Sequence, residues 1–184
     1  MEILLFNTAW MLWNLALAFF SVFLGWLTFK AKKKHYKLIL GFLWLIFAPN
    51  TIYILTDLYH LTYQRYFLSG FEKTVLFGQY IFFIPLGIVT FIYSLRYFER
   101  SFAKMKINHT LLLVAVNFLI GIGVMVGRFQ RANSWDLIIS PINTTRDIIA
   151  TVKTTHLLVL SIAFGIFCNV IYFTYRKAFN KIQK

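Results

Sequence analysis

The sequence predicts an all-α, polytopic transmembrane bundle of about five membrane-spanning helices, with one short helix at the outer interface. Three observations carry that prediction. The 184 residues are 59% hydrophobic and only 14% charged, whereas a soluble domain is nearer half apolar and a quarter charged. The apolar residues gather into runs of about 20, the length that crosses a hydrocarbon core of about 30 Å as a helix. The charges lie in short clusters between those runs. A net charge of +13 distributed in this way does not form the continuous basic face that nucleic acid requires, so nucleic acid is excluded as a partner. The lipid bilayer is the partner that the composition implies.

The predicted spans cover about residues 3–29, 38–58, 75–95, 110–126 and 157–175, within one integral membrane domain of residues 1–184. The start of the chain carries Glu2 and no basic n-region, so it reads as a first span and not as a cleaved leader. The second span contains Pro49, which removes a backbone hydrogen bond and predicts a kink. Gly121, Gly123 and Gly127 give the fourth span a small-residue surface for close helix contact. Between the fourth and fifth spans, Pro141 followed by Asn143 and Thr144 reads as a helix start. Ile148, Ile149 and Val152 follow at helical spacing, predicting a short amphipathic interfacial helix. The lone cysteine, Cys168, sits in an apolar run and allows no internal disulfide.

Orientation follows from the loop charges. Lys30, Lys32, Lys33, Lys34, Lys37, Arg96, Arg100, Lys104, Lys106, Arg176, Lys177, Lys181 and Lys184 fall on one side, and Arg65, Lys73, Arg128, Arg131, Arg146 and Lys153 on the other. The division, 13 against 6, makes the first side cytoplasmic by the positive-inside rule. It predicts a multi-pass protein of the cell membrane, amino terminus outside and carboxyl terminus in the cytoplasm.

The chemistry-bearing residues concentrate on the outer side. At 100° per residue, Asn50, Tyr53, Asp57, His60 and Gln64 fall in an arc of about 80°, one polar stripe on an apolar segment. Intramembrane polar groups turn toward protein partners. Such partners stand at the end of the fourth span, where the chain reads Arg128, Arg131, Asn133, Trp135 and Asp136. Arginine at an outer boundary runs against the positive-inside bias, so a carboxylate partner or an anionic ligand is expected for each. The sequence therefore predicts an outward-facing polar pocket. Asp57 and His60 are its candidate acid and base; Asn50, Tyr53, Arg128, Arg131, Asn133, Trp135 and Asp136 are its candidate ligand-binding residues. Asp57 and His60 also have a D-x-x-H spacing at which both side chains reach one metal ion, with Asp136 or His156 needed to complete the set. Two ligands do not define a site, and no metal, haem or other cofactor is assigned. Asn7 and Asn14 share one face of the first span with Trp10. Gln79, Asn117 and Asn169 read as single interhelical hydrogen-bonding amides.

Two segments, FAPNTIYILTDLYHL at 47–61 and GRFQRANSWDLIISP at 127–141, resemble the signatures of a bacterial membrane-protein family known as domain of unknown function 1361. The stretch WNLALAFF from Trp13 is similar to that family's first-helix pattern. The resemblance implies a multi-helix membrane protein and carries over no catalytic residue. The functional expectation therefore rests on the pocket: a site for an anionic or lipid-like ligand, catalytic if Asp57 or His60 moves a proton. Two other classes compete with it. An accessory or assembly subunit would have a membrane-protein partner. A small-solute or ion transporter would need polar groups through the cytoplasmic half, where the sequence is nearly featureless.

Overall fold

Lipid offers no partner to a backbone amide, so an apolar run that enters the bilayer must satisfy its own hydrogen bonds as a helix. The structure, a computed structural model, describes residues 2–182. Lys184, counted above on the cytoplasmic side, lies outside the described residues. Five helices are long and apolar enough to cross a membrane. They are α1 (Glu2–Lys30), a broken rod over Lys34–Gln64, α5 (Gly70–Phe102), a fourth over His109–Gln130, and α9 (Thr155–Ile182). No strand occurs among the described residues. The protein is an all-α, multi-pass integral membrane protein.

Local chemistry sets the helix ends. Ser69 and Glu72 form a capping box at the start of α5. The Asn108 side chain accepts the Leu111 amide at 3.0 Å and caps α6 (His109–Met125). Pro141 occupies the first turn of α8 (Pro141–Lys153), where its missing N–H leaves nothing unpaired. The α8 face that packs inward carries the buried Thr144 and Thr151, whereas Ile149 and Val152 are exposed. A helix thus stands where one was predicted, with hydroxyls toward the bundle and part of its apolar stripe turned out.

The second span is not one continuous α-helix. Pro49 ends α2 (Lys34–Phe47) and starts α3 (Pro49–Tyr53), a 3-10 turn covers Ile54–Asp57, and α4 (Leu58–Gln64) resumes. Side-chain hydroxyls return hydrogen bonds to carbonyls within this irregular stretch: Thr51 to Ala48 at 2.7 Å and Thr56 to Tyr53 at 2.7 Å. The 3-10 turn has a geometric consequence. Three residues per turn advance the side chains by roughly 20° more per residue than an α-helix, so four residues rotate the stripe by roughly 80°.

Helix α1 packs along α5, and α6 packs along α9, with the broken rod between the two pairs. The α6–α9 contact depends on glycine. A Cβ on Gly121 would lie 2.4 Å from the Ser161 carbonyl oxygen, and one on Gly165 would lie 2.5 Å from the Phe118 ring. Gly123 likewise admits Pro49, and Gly127 admits the Tyr53 ring. Each glycine of the predicted small-residue surface therefore meets a neighbour, on two different helices. Intramembrane amides join helices as expected: Asn117 donates to Asn169 at 3.0 Å, and Gln79 donates to Thr8 at 2.7 Å.

The two ends of the bundle differ in chemistry. At the lysine-rich end Glu99 pairs with Arg176 at 2.8 Å and accepts from the Tyr172 hydroxyl, tying α5 to α9. Lys37 donates to the Ser101 carbonyl at 2.9 Å. The opposite end gathers the start of α1, the end of α4 and the segment after α6, and holds a cavity.

Candidate functional site

Where the α1–α5 and α6–α9 pairs diverge, the broken rod forms a floor and a cavity of about 1010 Å³ opens above it. One wall is the α1 stripe Asn7, Trp10 and Asn14. The floor carries Asn50, Tyr53, His60 and Gln64. The far wall is Gly127 and Arg128, followed by Arg131–Trp135 and by Thr144 and Ile148 of α8. The cavity-side ends of the second and fourth spans are therefore neighbours. The contacts are specific: Asn50 donates to the Ser134 hydroxyl at 2.7 Å, and the Tyr53 hydroxyl donates to the Gly127 carbonyl at 3.5 Å.

Arg128 is the hub. The chain leaves α6 through a π-helical turn over Val126–Gln130, which widens the helix and directs this side chain back across the floor. Its Nη1 lies 3.0 Å from His60 Nε2. A guanidinium has no acceptor, so Nε2 accepts and the ring proton sits on Nδ1. The same nitrogen lies 3.9 Å from Asp57 Oδ1, and the guanidinium stands 5.7 Å from the centre of the Tyr59 ring. The expected pairing of Asp57 with one of the two arginines is present, and Arg128 is the partner.

Asp57 itself is 1% exposed and lies one layer behind the cavity wall. Asp57, the last residue of the 3-10 turn, faces α1, while Asn50, Tyr53, His60 and Gln64 line the cavity. Asn14 donates to Asp57 Oδ2 at 3.3 Å, and Tyr80 donates to the Asp57 backbone carbonyl at 3.1 Å. Oδ1 faces the Arg128 charge, and the Trp10 indole also stands beside the carboxylate. Asp57 is thus a buried counter-charge that positions Arg128. Gln64, at the end of the stripe, exchanges two hydrogen bonds with Asn7, at 2.7 and 3.0 Å, and closes the α1 side.

The loop residues divide by role. Arg131 has φ 56°, the one non-glycine residue in the left-handed region among those described, a conformation that costs roughly 1–2 kcal/mol in an L-residue. It lies on the cavity wall, exposed, with no carboxylate at ion-pair distance among the described residues. Asn133 and Trp135 also line the cavity. Asp136 does not. Its carboxylate accepts from the Asn133 amide at 2.7 Å and from the Asn133 side chain at 3.2 Å, bracing the loop instead of facing an arginine. The D-x-x-H spacing is used for Arg128, and no group of three or more His, Cys, Asp or Glu side chains placed to hold a metal occurs among the described residues.

Sequence reasoning did not assign Asn14, Ser134 and Tyr80 to this site. The heptad spacing of Asn7 and Asn14 on an apolar helix was the available signal for the first. The other two depend on which helices meet. No curated protein and no solved structure matches the chain. A family model described as "Protein of unknown function (DUF1361)" matches residues 13–171, a span that includes Asn14, the broken rod, Arg128 and the whole loop. A multi-pass integral membrane protein with this match over most of its length belongs to the DUF1361 family.

Proposed function

We infer that the cavity binds an anionic group at the membrane boundary, with Arg128 and Arg131 as the recognising cations. One observation carries this reading: the wall holds two arginines and not one carboxylate among its described residues. Asp57, behind the wall, fixes and partly offsets Arg128, and Arg131 is left as the cation with no carboxylate at ion-pair distance among the described residues. A guanidinium in a water-poor site binds phosphate or carboxylate through paired, charge-assisted hydrogen bonds. His60 is the imidazole at the floor, where its Nε2, accepting from Arg128, helps to orient that guanidinium toward the bound anion. Asp57 is a positioning residue in this scheme. The end of the cavity at Leu17, Phe42 and Leu119 is apolar, which favours binding over passage of a solute.

The test uses a small soluble anion. Glycerol 3-phosphate added to the protein in mild detergent is expected to raise the unfolding midpoint, by about 2.7 kcal/mol of stability at a hundredfold excess over its dissociation constant. Arg131→Asn keeps a residue tolerant of positive φ and should remove most of that gain. A midpoint unmoved by glycerol 3-phosphate, inorganic phosphate and acetate alike would leave the accessory-subunit reading in front.

The cavity is assigned to the outside of the cell, since its end of the bundle carries the smaller share of Lys and Arg. A reporter inserted in the Arg65–Ser69 loop should be active only outside the cytoplasm. Cytoplasmic activity there would invert the orientation and leave the cavity geometry untouched.

A further inference from the structure

The cavity is graded along its length. Its polar groups lie toward one end. Beyond Asn50 the lining side chains become apolar: Leu17 on α1, Phe42, Leu45 and Ile46 on α2, and Leu119 and Ile122 on α6. Several remain open instead of packed, Phe42 at 58% and Leu119 at 49% exposure, with Trp13 beside them at 55%. A trough lined by such groups is filled by hydrocarbon in a bilayer, not by water.

Its polar and apolar parts are continuous. Along the rod the lining runs from Gln64, which meets Asn7 near the start of α1, to Phe42, next to the Gly41 that meets Thr28 near the end of α1. A transmembrane helix of a partner protein would lay an apolar surface against two arginines with no carboxylate on the wall. An amphiphile with an anionic head and a hydrocarbon chain matches both parts. Resting on the anion-binding reading above, we propose that the occupant is a long-chain lipid phosphate of the leaflet on the cavity side. Its phosphate sits between Arg128 and Arg131, and an acyl chain lies in the trough between α1 and α6. Phosphate suits the pair better than a carboxylate, because it presents more acceptor oxygens to two separate guanidinium forks. The lipid enters sideways from the bilayer past Trp13 and Phe42, so the head never leaves the interface.

Native mass spectrometry of the full chain in mild detergent tests this, with dioleoyl phosphatidate and dioleoyl phosphatidylcholine supplied in equal amounts. Phosphatidate is expected to be retained about tenfold better, equivalent to about 1.4 kcal/mol, and Arg131→Asn should abolish the preference. Leu119→Trp plugs the trough away from both arginines. It should weaken phosphatidate retention about tenfold while leaving the glycerol 3-phosphate midpoint shift at its wild-type size. A chain-length series needs no variant: dihexanoyl phosphatidate should bind more weakly than the dioleoyl form. If chain length and Leu119→Trp have no effect while glycerol 3-phosphate still stabilises, the tail assignment is overturned and the anion site stands. Equal retention of both dioleoyl lipids, insensitive to Arg131→Asn, means annular lipid only and overturns the proposal. A second protein retained in place of lipid and displaced by Leu119→Trp also overturns it, making the trough a docking face.

Discussion

Asp57→Asn is expected to lower the unfolding free energy in mild detergent by about 3 kcal/mol, at the lower edge of the cost of breaking a buried ion pair. Removing the Asp57 charge leaves the Arg128 guanidinium in a water-poor layer with His60, Tyr53 and the Tyr59 ring beside it and no carboxylate. The replacement amide can still accept from Asn14 with its oxygen, but its NH₂ then faces a cation. The estimate sits at the lower edge because the Arg128 side chain is 20% exposed and keeps some solvent or headgroup contact. Removing both charges, as Asp57→Asn with Arg128→Gln, should restore much of the loss, since a neutral pair leaves no orphaned charge. The two variants separate structure from recognition: the double variant recovers stability but loses the glycerol 3-phosphate response. An Asp57→Asn protein as stable as wild type, within about 0.5 kcal/mol, would show that the pair carries no stability and that Asp57 acts on the ligand directly.

Trp44→Ala is expected to have the largest effect outside the cavity, about 3–5 kcal/mol. Trp44 is fully buried, stacks on Phe98 with ring centres 4.1 Å apart, and donates from its indole N–H to the Ser94 hydroxyl at 2.7 Å. Ser94 in turn meets Ser21 at 3.0 Å, so one side chain of α2 holds α1 and α5 together. Gly25 makes room for it: a Cβ there would come within 3.2 Å of the indole. Trp44→Phe keeps most of the volume and leaves the Ser21–Ser94 bond available, so it should lose less than half as much. Thermal unfolding of both variants in the same detergent decides the matter. Equal losses would mean that the hydrogen bond, and not the packing, holds the three helices. Because α1 and the broken rod are two walls of the cavity, Trp44→Ala should also weaken the anion response, through splaying and not through any contact with ligand.

Much of the architecture was legible in the sequence because lipid imposes so few solutions. Apolar runs of about 20 residues can only become spanning helices, and all five appear. Pro49 correctly marked the interruption of the second span, and Asn117, Gln79 and Asn169 found interhelical partners, since an intramembrane amide has little else to bond. The Asp57–Arg128 contact was predictable for the same reason: two charges near one end of a bundle need each other. Three features lay beyond reach. Asp57, at the end of the 3-10 turn Ile54–Asp57, faces α1 and not the cavity, and ideal periodicity carries no record of such a turn. Asp136 chose Asn133, three residues away, over an arginine, because a loop can satisfy a carboxylate locally. Which flank of α8 faces inward depended on the neighbours it meets.

The sequence by itself therefore determined the solvent, the number of spans, the charge asymmetry of the two ends and the set of polar residues near one of them. Those are properties of hydrophobicity and charge, which every residue carries wherever it is placed. Only the tertiary structure decided that α1 supplies a wall, that Asp57 stands behind Arg128, and that the space between the helix pairs is an open trough, polar at one end and apolar at the other. A cavity is the volume that packing leaves unfilled. Its shape belongs to the helix crossings set by Gly121, Gly123 and Gly165 and to the local winding of the broken rod, and no single residue encodes it.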